Sequence, residues 1–246
     1  MTGRTILMRG AASLGALMLA STAMPAAASH LIVNFEELND SGVEGSGEVR
    51  YDEEAGTITV EINATGLAEG AHVGHIHGRF DGEGNPMDST VPPPSADADG
   101  DGFVEIGEGA VFYGPIILPL SGIGEVGADG ILNYMQTFDL SDSSIFAEIP
   151  NSGGALFGAQ DLFPLTFREI VLHGGPVDPN AGVGTDGIID GTQGSYSVGL
   201  PVAAGEISAP VPEPATWAMM LLGFFGIGGM MRRKHAIKRQ NVSYSW

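Results

Sequence analysis

The chain of 246 residues contains no cysteine and, away from its two ends, very little positive charge. Without cysteine there is no disulfide, so stability must come from a hydrophobic core and from any bound metal. Between residues 29 and 210 only Arg50, Arg79 and Arg168 are basic, against 29 acidic residues, which gives this region a net charge of −26. Such a surface repels nucleic acids and phosphate-rich membranes and favours divalent cations.

Motifs for common enzyme chemistries are also missing. The sequence has no nucleophile motif, no phosphate-binding loop, no basic aromatic patch and no internal repeat. Its carboxylates are so numerous that assigning any two as acid and base would be arbitrary. The informative features are therefore the two ends of the chain and two small groups of metal-ligating residue types.

The N-terminus has the order of a secretory signal peptide. Arg4 and Arg9 precede an uncharged run over 10–28 that is rich in alanine, leucine and methionine and closes with three alanines. A basic flank, a short apolar stretch and a small-residue cleavage site are the three parts of such a peptide. We predict that residues 1–28 are a signal peptide and that 29–210 form the mature domain.

The C-terminus has a second targeting pattern, in which an apolar run separates two short motifs. The residues that define the motifs are Pro212, Glu213, Pro214, Arg232 and Arg233. The apolar run of about 15 to 17 residues is short for a membrane span, but the basic cluster behind it follows the positive-inside rule. This order resembles the PEP-CTERM sorting signal, which an exosortase recognises. The resemblance implies a sorting signal with a transmembrane segment over 211–234, a cytoplasmic basic tail over 235–246, transient anchoring, and delivery to the cell envelope or extracellular matrix.

Between the two ends, apolar residues come in short alternating runs rather than at helical spacing. Strict alternation over 57–63 predicts a half-buried strand, with 48–51 as its hairpin partner. Further strands are predicted over 72–77, 103–106, 116–120, 134–139, 168–172 and 195–200. A short helix is expected to start near Ser141 or Ser143. Many short strands with little helix indicate an all-β Greek-key sandwich or barrel with long loops.

The segment 97–108 has the spacing of an EF-hand calcium loop. Aspartates occupy its first, third and fifth positions, glycine the sixth and glutamate the twelfth. The expected calcium ligands are Asp97, Asp99, Asp101, the carbonyl of Phe103, Glu105 through water, and Glu108. Three prolines at 92–94 exclude the entering helix, and the exit is predicted as a strand, so we predict an EF-like loop inserted in a β domain. The alternative is a surface turn that only solvates charge.

Histidines form the second group. Residues two apart in a strand point to the same face, so His75 and His77 share one side of a predicted strand, and His173 ends another. Two imidazoles from one strand and one from a second are a reasonable set of copper or zinc ligands. The alternative is that packing and hydrogen bonding keep these histidines in their strands. His72 and His30 are weaker additional candidates.

The residues around these histidines resemble a known family. The segment 66–78 is similar to the copper-ligand strand of Cu/Zn superoxide dismutases, and its His-Ile-His-Gly signature recurs in the CHRD domain of secreted bacterial proteins. Residues 168–173, with Asp178 and the 191–195 segment behind them, look like the closing section of the dismutase family. The resemblance implies a dismutase-like or CHRD-like β domain. Its implied copper ligands are His75, His77 and His173.

The chain also departs from the dismutase pattern. No histidine lies between residues 78 and 172, both disulfide cysteines are absent, and Tyr196 stands where the family places its substrate-guiding arginine. Without that arginine, and with its strongly negative charge, the domain should attract superoxide poorly.

Three functions remain open from the sequence. The first is an exosortase-sorted envelope or matrix protein with a calcium-stabilised, non-catalytic CHRD-like domain. The second is a copper-binding or dismutase-like protein that uses the three histidines, and the third is adhesion or matrix structure without metal. The implied partners are the exosortase machinery and extracellular matrix or exopolysaccharide, but not nucleic acid.

Overall fold

A computed structural model describes residues 29–148, 156–178, 192–193, 195–210, 219–225 and 227. Its strands are β1 (Ser29–Glu37), β2 (Glu44–Asp52), β3 (Thr57–Thr65), β4 (Gly70–Phe80), β5 (Pro86–Met87), β6 (Ile116–Pro119), β7 (Gly124–Val126), β8 (Leu132–Asp139), β9 (Arg168–Pro176), β10 (Thr192–Gln193) and β11 (Tyr196–Ser208). The helix α1 covers Ile106–Tyr113, and 3-10 turns lie at Pro94–Ala96, Ser143–Ile145, Ala159–Leu162 and Leu165–Phe167.

The described strands form a curled antiparallel sheet, a half-barrel in shape. Its order is β5-β4-β9-β11-β1-β2-β3-β8, with β6 and β7 also paired to β4 and β10 paired to β11. The prediction of a mainly β fold is therefore confirmed. The long strand β4 pairs with β9 along one edge and with three short strands along the other, which places its histidines inside the sheet rather than at its margin.

Alternation of apolar residues accounts for the strands away from the site. In β3, Ile58, Val60 and Ile62 are fully buried, while Thr59 and Glu61 between them are partly exposed. The predicted hairpin of β2 and β3 is confirmed, because the two strands pair in register along their whole length. Burial of one face by side chains two apart is what a strand period of two produces.

Strand β1 was missed by the sequence interpretation, although it carries the same signal. Leu31, Val33 and Phe35 are buried at alternate positions, and β1 pairs with both β2 and β11. Strand β1 therefore joins the strands β5-β4-β9-β11 to the strands β2-β3-β8 in one sheet.

The strand predicted over 103–106 is wrong, and so is the predicted strand exit of the acidic loop. Helix α1 begins at Ile106 instead. The carboxylate of Glu108 accepts the backbone N–H of Glu105 at 3.0 Å, which caps the first turn. This reciprocal placement of glutamates three residues apart is a capping box, and it outweighs the alternating pattern that favoured a strand.

Other predictions have mixed outcomes. The expected short helix is a 3-10 turn whose first backbone N–H groups are capped by Asp142, which accepts the N–H of Ser144 at 2.9 Å. The predicted signal peptide, the five residues of the two sorting motifs and the basic tail lie outside the described residues. Of the predicted membrane segment 211–234, only residues 219–225 and 227 are described. Of the helices that the structure describes, none is both long enough and apolar enough to cross a membrane.

Strand β9 is buried on both faces, and this arrangement creates the site. Ile170 and Leu172 face the main hydrophobic core. On the other face, Val171 packs with Tyr113 of α1 and Ala204 of β11 in a second, smaller cluster. The helix therefore covers the outer face of the sheet where β4 and β9 run side by side.

Candidate metal centre

The three predicted histidines come together on this covered face. Val73 of β4 lies opposite His173 of β9 in the register, so His75 and His77 point to the same side as His173. One nitrogen from each of the three rings lies within 4.8 Å of the other two. The ring centroids of His75 and His173 are 5.1 Å apart, and those of His77 and His173 are 6.0 Å apart.

Backbone carbonyls fix the ring orientation of two of these histidines. Nδ1 of His77 lies 2.8 Å from the carbonyl oxygen of Gly114, and Nδ1 of His173 lies 2.8 Å from that of Gly199. A carbonyl can only accept, so both Nδ1 atoms carry hydrogen and both Nε2 atoms present a lone pair. A backbone hydrogen bond on the distal nitrogen is the usual support of a metal-ligating histidine.

One ring nitrogen of each of the three histidines is buried and unpartnered. Nε2 of His77, Nε2 of His173 and Nδ1 of His75 have no hydrogen-bond partner among the described residues. Buried polar atoms without partners are rare, because each costs about 1–3 kcal/mol. Three clustered imidazoles with such nitrogens have the chemistry of a ligand set for a metal that prefers imidazole.

Burial also keeps these histidines neutral. Loss of solvent lowers the pKa of His75 to about 4 and that of His173 to about 3, and it holds the pKa of His77 well below its usual range. Proximity of the rings to one another lowers the pKa of His77 and His173 further. At neutral pH all three imidazoles are therefore in the neutral form, with one nitrogen free to bind, as a metal ligand must be.

A cavity of about 190 Å³ opens over the three histidines. Its apolar walls come from Val73, Ile106, Ala110, Tyr113 and Ile116. The ring of Tyr113 packs edge-on against His77, with 4.6 Å between the centroids. None of the described residues that line this cavity is a lysine or an arginine, so it offers no charge to attract an anion.

The two weaker histidine candidates lie elsewhere. His72 is buried, with Nδ1 3.1 Å from the carbonyl of His173 and Nε2 2.7 Å from that of Ala68. Tyr196 donates its hydroxyl to the carbonyl of Ala71 at 2.9 Å. His30 lies in an exposed pair with Glu48 at 3.1 Å. Neither His72 nor His30 belongs to the cluster.

The acidic loop brings its predicted ligands together. Asp97, Asp99 and Glu108 have carboxylate oxygens within 4.8 Å of one another, and so do Asp99, Asp101 and Glu105. Phe103 donates its backbone N–H to Asp101 at 2.8 Å. In place of an entering helix there is only the 3-10 turn Pro94–Ala96, as the prolines predicted.

Within the acidic loop, Asp101 is the carboxylate that most needs a partner. It is only 8% exposed, and its Oδ2 is buried with no hydrogen-bond partner in the described part of the chain. Burial, with the nearby charges of Asp99, Asp97 and Glu108, raises the pKa of Asp101 above its usual range. A bound cation would satisfy the bare oxygen and offset the repulsion among the carboxylates.

Two residues close to these sites were missed by the sequence interpretation. Asn39 has a positive φ of 59°. Its side-chain oxygen accepts the backbone N–H of Val104 at 2.7 Å. Its side-chain NH₂ group donates to the carbonyl of Val104 at 3.0 Å and to that of Pro201 at 2.8 Å. The Asn-Asp-Ser-Gly run that Asn39 opens is a turn signal. Glu169 is fully buried opposite His77, and it has no local sequence signal because its neighbours form an ordinary strand.

Comparison with known proteins gives a match at the C-terminal end, where residues 210–234 fit the PEP-CTERM protein-sorting motif. The chain carries a PEP-CTERM sorting signal. That motif indicates an exported protein, processed by an exosortase and sorted to the cell envelope or extracellular space. No curated protein matches the chain.

Proposed function

We propose that this PEP-CTERM protein is an exported metal-binding β domain, dismutase-like or CHRD-like, that holds copper at His75, His77 and His173. The observation that carries the proposal is the convergence of three buried, unpartnered imidazole nitrogens. Imidazole suits copper and zinc, and copper(II) binds a given nitrogen site more tightly than the other divalent first-row metals. Among the described residues this cluster consists of imidazoles alone, which disfavours hard cations such as calcium.

Binding or storage fits the surroundings better than dismutation. The apolar cavity and the net charge of −26 between residues 29 and 210 both oppose the approach of an anion such as superoxide. An exported, envelope-sorted protein would hold its metal where extracellular matrix or exopolysaccharide is the nearest partner.

Metal analysis of protein produced in a bacterial periplasm tests the proposal. Wild type should co-purify with or take up about one equivalent of copper, whereas His77→Ala with His173→Ala should lose it. His30→Ala removes an exposed histidine and serves as the control. Copper that persists in a variant without any of the three clustered histidines would contradict the site.

A second metal, calcium, is proposed for the loop 97–108. The bare Oδ2 of Asp101 and the two groups of converging carboxylates support it. Extracellular calcium sites commonly bind with Kd values of about 0.1 to 1 mM. Calcium at millimolar concentration should therefore raise the Tm of wild type but not that of Asp97→Ala with Asp101→Ala.

The matched control for the calcium experiment removes the same amount of charge elsewhere. Glu53→Ala with Glu54→Ala deletes two exposed carboxylates from the β2–β3 turn. This variant should keep the calcium-dependent rise in Tm. If the Tm of wild type is equal with and without calcium, the proposal that the loop 97–108 binds calcium is contradicted.

A further inference from the structure

Helix α1 belongs to both candidate metal sites. Glu108, in its first turn, is the twelfth residue of the acidic loop and one of its converging carboxylates. Ile106 and Tyr113 of the same helix line the cavity over the histidines. Gly114, which ends the helix, provides the carbonyl that accepts from Nδ1 of His77. One short element therefore connects the loop to the histidine cluster.

The sequence of α1 makes it a weak helix. It has eight residues, well below the about 12–15 that an isolated helix needs to be even marginal in water. Gly107 and Gly109 are the weakest helix formers after proline, and Ile106 and Val111 are β-branched. Such a helix depends on contacts at its two ends.

The contact at the N-terminal end is made by the acidic loop. Glu108 accepts the backbone N–H of Ala98 at 2.6 Å and that of Glu105 at 3.0 Å, so its carboxylate ties the loop to the first turn. The other loop carboxylates lie near it and repel it unless a cation is bound. The free energy of ordering α1 therefore depends on whether the loop is occupied.

The contact at the C-terminal end is made with a metal ligand. Tyr113 is fully buried, and its ring packs on that of His77. If the last turn of α1 loosened, His77 would lose both this packing and the carbonyl of Gly114 that fixes its tautomer. The cavity over the metal would open at the same time.

We infer that calcium in the loop 97–108 raises the affinity of the three-histidine site for copper by ordering α1. This inference rests on the proposed function and adds its regulation. Coupling of this kind is reciprocal, so copper at the histidines raises the affinity of the loop for calcium by the same factor. Electrostatics alone gives the opposite sign, because a bound calcium ion repels a second cation. A positive coupling is therefore diagnostic of the helix.

The experiment measures copper affinity of the full exported chain by competition with a chromophoric ligand. Calcium-free buffer is prepared with ion-exchange resin, because a soluble calcium chelator would also remove copper. Millimolar calcium should tighten copper binding by about 5- to 100-fold, within the usual range for coupled sites. Magnesium at equal concentration controls for screening of the acidic surface and should have little effect.

Two glycine variants test the role of α1 without changing a residue of either proposed ligand set. Gly107 is exposed, and an added Cβ there would meet nothing within 4 Å, so Gly107→Ala strengthens α1 without altering a ligand. In calcium-free buffer it should tighten copper binding about five-fold and shrink the effect of calcium. Gly82→Ala is the control, because its Cβ also meets nothing and it lies outside α1.

The possible outcomes distinguish a failure of the coupling from a failure of either proposed metal site. Calorimetry first measures calcium binding and copper binding one at a time. If either ion fails to bind, both the corresponding proposal and the coupling are overturned. If both bind but each affinity is unchanged by the other ion within two-fold, the two sites stand and the coupling is overturned.

Discussion

The carbonyl oxygen of Gly114 lies 2.8 Å from Nδ1 of His77, so the residue that ends helix α1 sets the tautomer of a candidate metal ligand. Gly114 has a positive φ of 81°, and a Cβ added there would meet the backbone of Gly78 and lie 2.7 Å from the nitrogen of Arg79. Only glycine allows α1 to approach β4 this closely.

Gly114→Ala should therefore weaken copper binding by at least about ten-fold, equivalent to about 1.4 kcal/mol, and lower the Tm. Gly84→Ala is a matched control, because Gly84 has a φ of 84° but open space around it. It shares the positive φ without the collision. Equal copper affinity in the two variants would mean that the carbonyl contact does not support the site.

Asn39→Asp should destabilise the acidic loop. The substitution is nearly isosteric, but it replaces the amide group that donates to the carbonyls of Val104 and Pro201 by a second acceptor. The loss should lower the free energy of unfolding by about 2–3 kcal/mol and weaken calcium binding. Denaturant titration and calorimetry measure the two effects. Asn133→Asp, at an exposed position of β8, should change neither by more than about 0.5 kcal/mol.

The contribution of Glu169 to the stability of the metal-free protein should fall as pH rises. Burial first, and then the charges of Glu206, Glu36 and Asp88, raise its pKa from 4.5 to about 8. His77 of β4 lies opposite it in the register, and Tyr113 of α1 is close enough for the carboxylate to affect its pKa. Both carboxylate oxygens lack a partner among the residues that the structure describes.

The sign follows from the two pKa values. The folded state keeps a proton on Glu169 that the unfolded state releases, so the folded state loses relative stability between about pH 4.5 and 8, by about 1.4 kcal/mol per pH unit. By pH 7 the loss is about 3 kcal/mol. Glu169→Gln cannot ionise, so the stability of wild type relative to this variant should fall between pH 5 and 8 by about 1.4 kcal/mol per pH unit. The contributions of the three buried histidines are common to both proteins and cancel in the difference. The exposed variant Glu54→Gln should follow wild type in the same denaturant titrations.

Arg168→Lys should be strongly destabilising although it conserves charge. The guanidinium of Arg168 is fully buried, stacks over the Phe80 ring at 4.9 Å, and donates to the carbonyls of Asp161, Phe163 and Phe167. A lysine ammonium has no planar fork to reach these acceptors, so we expect a loss of about 2–4 kcal/mol in thermal or chemical unfolding. Arg79→Lys, which changes a partly exposed arginine, should cost less than about 1 kcal/mol.

Some of the fold was predictable because its signal is local. The alternation over β3, the hairpin with β2 and the strand that holds His75 and His77 all follow from a period of two. The exit of the acidic loop was predicted wrongly, because the run from Phe103 to Ile106 also alternates. The capping interaction between Glu105 and Glu108 favours a helix start at this point instead. The pattern of apolar residues does not predict the strength of such a polar contact.

The sequence by itself determined the sorting signal, the acidity of the domain, and the placement of His75 and His77 on one face of a strand. Each depends on neighbouring residues or on composition, and these need no knowledge of long-range contacts. Only the tertiary structure brought His173 to that pair, because its position depends on the register of β4 against β9. The same holds for the helix that joins the two candidate sites. The bare nitrogens and the buried carboxylates are properties of packing, since a side chain loses its water only when distant parts of the chain close over it.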